Sequence, residues 1–170
     1  MAVKNNPTAW GNLILKTAKA ETTGEMPKLL EQLGWIEEGS ISLDVARGTK
    51  LELKETGGIV RDSKETEPTV TIGMTILGIP EEMRKKYWET EDKDGKIAVK
   101  SLVTDNKFAL EISNPKIQGS DTIEVPKASV FMSPALADDK GYTAELEFTI
   151  LKSEADILFN MGKVEVTPEV

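Results

Sequence analysis

Residues 67–88 read EPTVTIGMTILGIPEEMRKKYW, and their character changes midway. In the first half Val70, Ile72, Met74 and Ile76 alternate with Thr69, Thr71, Gly73 and Thr75. Period two marks a strand with one face in a core. Gly78 and Pro80 then break the run, and EEMRKKYW reads as a short helix. Pro80 suits the first helical position, Glu81 and Glu82 sit at the positive end of the helix, and Arg84, Lys85 and Lys86 lie toward the negative end. Ile79, Met83 and Tyr87 recur at spacing four, a narrow apolar stripe that Trp88 extends. Packing over a sheet edge or barrel end is the expected role of these four residues, rather than ligand stacking.

The same alternation recurs along the chain. NLILK (12–16), SISLDVA (40–46) and TKLELKE (49–55) read as strands, whereas 25–35 fits a turn of helix or a loop equally well. Gly57–Gly58 turns the chain, and GIVRDSKETEP follows as a charged connection. ETEDKDGK (89–96) reads as a solvated loop ending in an Asp-Gly turn. Residues 96–104 and 107–113 flank Asp105–Asn106 as a hairpin; 127–133 and 142–151 flank the long turn PALADDKG, and 163–167 is a strand or a tail. About eight strands with one helix imply a mainly β chain, a sandwich or barrel. Along residues 144–150 Ala144, Leu146, Phe148 and Ile150 oppose Glu145, Glu147 and Thr149. One face serves a core; the other is threonine and glutamate with a few lysines. Open solvent and a water-filled bore fit that pattern equally.

Composition narrows the chemistry. The chain has 170 residues, 39% hydrophobic and 29% charged, as expected of one soluble globular domain. A net charge of -8 repels a phosphate backbone and argues against a conventional nucleic-acid binder. There is no cysteine, hence no disulfide, thiol nucleophile or zinc–thiolate site, and no histidine, the usual general base and metal ligand. No GxxxxGK[ST], GxGxxG or GxSxG pattern occurs. Thr90, Asp92, Asp94 and Gly95 match the start of a calcium loop, but the twelfth position is Ser101 where a bidentate Glu is needed, so the segment reads as a turn. No catalytic, cofactor-binding or metal-binding residue is assigned, and no enzyme is expected. With no apolar run of membrane-spanning or signal-peptide length, a soluble protein made inside the cell is the expectation.

Three stretches together resemble the major tail tube protein family of long-tailed bacteriophages, prophage copies included. They are GSISLDVARGTKLELKETGGIV, TVTIGMTILGIPEEMRKKYW and VPKASVFMSPALADDKGYTAELEFTIL, which cover most of residues 39–151. The resemblance implies a tail-tube-like β domain over 39–155, preceded by an arm and first strand (1–38) and followed by a C-terminal segment (156–170). It further implies homo-oligomeric rings, six-membered, joined edge to edge and stacked into a hollow tube in the virion tail. Assembly in the bacterial host cytoplasm, contact with other tail proteins such as a tape measure, and DNA as passing cargo come with it. Thr69, Thr71, Thr75, Glu145 and Glu147 become candidate lumen-facing residues. The loops with Gly57, Gly58 and Arg61, and with Asp138, Asp139 and Lys140, become candidate ring-stacking contacts. Two rivals stand beside this: a tube subunit of a type VI or contractile injection apparatus, and a monomeric β-sandwich binding module. A sugar-binding module would want more exposed aromatics than three Trp, two Tyr and four Phe allow.

Overall fold

The computed structural model describes residues 13–114, 116, 120–137 and 141–163. Its strands are β1 (Ile14–Lys19), β2 (Glu31–Gln32), β3 (Trp35–Ile36), β4 (Ser42–Ala46), β5 (Lys50–Lys54), β6 (Val60–Glu65) and β7 (Thr69–Leu77) before the single helix α1 (Glu81–Tyr87). After it come β8 (Glu89–Lys93), β9 (Lys96–Ser101), β10 (Val103–Ser113), β11 (Asp121–Ala137), β12 (Gly141–Ile150) and β13 (Asn160–Lys163). The chain is mainly β with one short helix. Among the described residues thirteen strands replace the expected eight or so: β2, β3, β6 and β8 lie in segments read from sequence as loops, connections or ambiguous chain, and β13 ends at Lys163, where the segment read as a strand or a tail begins.

The main sheet runs β2-β1-β10-β11-β12-β7-β3, with β13 on β11 and β4 on β7. Its two ends meet. Residues 31–36 pair with β1 through Glu31–Gln32 and with β7 through Trp35–Ile36, and the Leu33 amide between them donates to the Leu15 carbonyl at 3.0 Å. The result is barrel-like, with Leu15, Leu33, Ile72, Ile76, Leu110, Met132, Leu146 and Phe148 buried inside. Pro80 caps α1 rather than opening it, and its carbonyl accepts from the amides of Met83 and Arg84. Ile79, Met83, Tyr87 and Trp88 are all buried, and Trp88 Nε1 donates to the Met132 carbonyl at 3.0 Å.

Tyr87 fixes the helix to the barrel. Its ring centroid lies 4.5 Å from that of Phe108, and its hydroxyl is hydrogen-bonded to Thr17 Oγ1. Burial pushes the phenol up to about 12, with the Thr17 bond opposing and Glu31 adding a little. The folded protein therefore keeps Tyr87 neutral where the unfolded chain, with a phenol pKa near 10, already ionises. Its stabilising effect is full below about pH 10 and is lost between about pH 10 and 12, at ~1.4 kcal/mol per pH unit. Tyr87→Phe is expected to cost ~1–2 kcal/mol at neutral pH, because Thr17 loses its partner. The same variant should flatten the alkaline loss in denaturant titrations compared between pH 9 and 12, whereas lysine titration affects both proteins alike.

Two segments pair differently from the sequence expectation. Asp105–Asn106 is not a hairpin turn; β10 runs through it, with the Asn106 amide bonded to Thr104 Oγ1 at 3.0 Å. Between Val103/Phe131 and Lys107/Ser129 the register advances faster on β10 than on β11, so turn-forming residues are absorbed as a bulge. A second shift, between Phe108/Ala128 and Leu110/Val125, falls at Pro126, a residue with no amide for a ladder. There β11 changes neighbour, from β13 before the proline to β12 after it.

Two hairpins stand apart from the main sheet, β5–β6 and β8–β9. The charged connection expected after Gly58 is the strand β6, and the solvated loop at 89–96 is β8 plus a turn, with Asp94 and Gly95 both at positive φ (51° and 72°). Arg61, expected in a loop, lies within β6. At the base of β5–β6, Gly48 lies against the Thr66 carbonyl so closely that an added Cβ would sit 1.7 Å from the oxygen. Every residue of β5 and β6 is exposed. Two strands alone are marginal in water.

Candidate assembly interface

The most distinctive surface is the outer face of four neighbouring strands, β4, β7, β12 and the second half of β11. Register aligns side chains into rows across it. Asp44, Thr71, Thr149 and Ser129 make one row; Ser42, Gly73, Glu147 and Phe131 the next; Thr75, Glu145 and Ser133 a third. Thr69 ends the face opposite Ala46. Thr69, Thr71, Thr75, Glu145 and Glu147 thus lie on one surface, joined by Asp44, Ser42, Ser129 and Ser133. Residues 42–46, 69–77, 128–137 and 141–150 include Asp44, Glu145 and Glu147 but no lysine or arginine. The lysines expected on such faces lie on other elements.

This sheet has two free edges among the described residues. β4 pairs only with β7, and Ser133–Ala137 of β11 pair only with β12. The core also stops short of β4. Leu43 and Val45 point to the same side as their partners Ile72 and Val70, yet are 47% and 63% exposed where Ile72 and Val70 are buried. An edge strand with uncovered apolar side chains and an unpaired backbone is a template for another strand.

Gly57 and Gly58, at φ 105° and 83°, make the tip of the β5–β6 hairpin, which an Arg61–Glu55 ion pair of 2.8 Å braces. Leu51 and Leu53 are exposed on this arm. Along it Lys50 and Lys54 hydrogen-bond to Glu52 and hold its carboxyl below the usual range. Asp138, Asp139 and Lys140 lie outside the described residues. Sequence reading missed Asp44, Ser42, Ser129 and Ser133, because only pairing places them beside the threonines and glutamates.

The cleft of about 370 Å³ between α1, β1 and β10 is lined by Thr17, Lys19, Lys85, Lys86, Tyr87 and Phe108. Three of its polar side chains are engaged: Tyr87 with Thr17, Lys86 with Glu31, and Lys85 with Asp92 at 2.9 Å. A phenol pushed up to about 12 is no base at neutral pH. Among the described residues no cluster of three or more Asp or Glu side chains is placed to hold a metal ion.

No protein-family model matches the chain, and no curated protein matches it. Among solved structures it is similar to a chain of an extracellular contractile injection system, the PVC sheath-tube complex in its extended state. That likeness covers 95% of each chain at 11% identity, with a TM-score of 0.48. A likeness this distant fixes no function.

Proposed function

We propose that this chain is the structural subunit of a hollow tube, built from stacked homo-oligomeric rings and serving as a conduit for DNA in a phage tail. The observation that carries it is the four-stranded sheet with an acidic face free of basic residues and, among the described residues, an open edge on each side. β4 of one copy pairs with Ser133–Ala137 of the next, and repetition closes a ring in which no edge is left over. Leu43 and Val45 then gain the apolar cover they lack in one chain.

The resemblance implies six copies per ring, and strand geometry gives the width such a ring would have. Six copies supply about 24 strands, and at a spacing near 4.8 Å and a tilt near 40° the backbone circle is roughly 50 Å across. Three copies would close at about half that width, and inward side chains would leave little bore. The number six comes from the sequence resemblance, and strand geometry adds that such a ring leaves an open bore. The acidic face lines the bore, where like charge keeps DNA from adhering to the wall. The phage-tail assignment, rather than the tube of a contractile injection apparatus, follows the sequence resemblance over 39–151.

The lining is tested by Glu145→Lys with Glu147→Lys in the assembled particle. Both side chains are exposed, so rings should form normally. DNA release should slow by at least tenfold as the wall changes sign. Ejection at the normal rate from correctly assembled tails would remove this face from the bore.

A further inference from the structure

The cleft between α1, β1 and β10 holds groups that the fold itself leaves unused. Buried Phe108 and Tyr87, with ring centroids 4.5 Å apart, give it an apolar floor, and Leu29 lines it while 87% exposed. Lys85 and Lys86 are held by Asp92 and Glu31, but Lys19 makes no ion pair among the described residues. The Asn106 side chain, also in the lining, makes no hydrogen bond among them either. Asn106 belongs to the bulge that interrupts β10, and bulges re-aim side chains at sheet rims and binding sites.

The backbone beside the cleft is open as well. β1 pairs with β2 only at Lys16 and Thr17, and the Leu33 amide donates to the Leu15 carbonyl. Backbone groups alternate sides along a strand, so Leu15, Thr17 and Lys19 all face that edge. Ala20, of the other parity, donates to the Lys107 carbonyl on the β10 side. The chain before Glu31 has left the edge, and the Lys19 amide and carbonyl have no hydrogen-bond partner among the described residues.

We propose that this cleft docks an extended acidic segment of a partner protein, one that carries an apolar residue beside an Asp or Glu. The segment continues the pairing along β1 past Thr17 through the Lys19 backbone. Its apolar side chain lies against Phe108 and Leu29, and its carboxylate meets the Lys19 ammonium. Charge complementarity selects the occupant: the lining sets Lys19, Lys85 and Lys86 against Glu31 alone, on a chain whose net charge is -8. The open backbone selects an extended chain over a small carboxylate, which has no amides to pair. None of these residues belongs to the four-stranded sheet, so the site goes beyond the tube proposal and does not depend on it.

Fluorescence anisotropy with the full chain tests it, using a dye-labelled Val-Glu-Val-Glu-Val peptide and its Val-Lys-Val-Lys-Val counterpart. The acidic peptide should bind tighter than the lysine peptide by about tenfold or more at low salt. Lys19 is exposed, so Lys19→Glu should keep the fold and weaken the acidic peptide by about tenfold or more. Lys64→Glu, the same change of charge on β6, should leave binding within about twofold of the parent. N-methylation of every peptide amide should also cost about tenfold, because the Lys19 carbonyl then has no donor. No binding of the acidic peptide at millimolar concentration, equal binding of both peptides, or equal weakening by Lys19→Glu and Lys64→Glu would overturn the site. Undiminished binding of the N-methylated peptide would overturn the extended segment in favour of a small carboxylate.

Discussion

Val45→Lys is expected to leave the monomer folded and to abolish ring formation. Val45 is already 63% exposed in the single chain, so the substitution should cost under ~0.5 kcal/mol of monomer stability. In the proposed ring the same position lies in the seam between β4 and its neighbour. A lysine there must leave water without a partner or prevent the strands from meeting, and charged edge residues are a general means of blocking sheet extension. A loss of ~3 kcal/mol per seam is more than a hundredfold in affinity, repeated at every contact of the ring. Denaturant titration should therefore overlay with the parent protein, while the mass in solution falls to that of one chain. Rings of normal size from Val45→Lys would place the seam elsewhere.

Phe148→Ala should have the opposite profile. Phe148 is fully buried on β12, between Val130 of β11 and Ile72 of β7, both buried as well. Removing the ring takes apolar surface out of the centre of three paired strands, which cannot close over the void without breaking register. A cost of ~3–5 kcal/mol is expected, a large share of the ~5–15 kcal/mol that holds a typical domain together. Urea denaturation should show a much lower midpoint with an unchanged slope, and assembly should fail only because fewer chains are folded. A cost below ~1 kcal/mol would contradict the packing described for this layer.

Legibility in the sequence followed burial. β7 and β12 each bury one face, so their apolar residues alternate, and the break at Gly78 and Pro80 announced α1. β6 and β8 bury almost nothing, and VRDSKE and ETEDK carry no apolar period to find. Only the turns between paired strands, at Gly57–Gly58 and Asp94–Gly95, pointed to hairpins there. Asp105–Asn106 misled for a different reason. Turn-forming residues suit a bulge as well as a hairpin tip, and pairing with β11 decides between them. The acidic face was half visible. Glu145 and Glu147 could be placed on one side of their strand, but adding Asp44, Ser129 and Ser133, and excluding every lysine, requires the register across four strands. The uncovered state of Leu43 and Val45 could not be read at all, since nothing in a linear pattern says where a core ends.

In the proposed assembly this chain closes into rings through its own sheet edges. Light scattering of the purified protein across a wide concentration range, with negative-stain images of the same samples, tests it most directly. Discrete rings of about six chains, or hollow tubes built from them, are the predicted result. A mass of 18.6 kDa at every concentration, with no ring in any image, would contradict it.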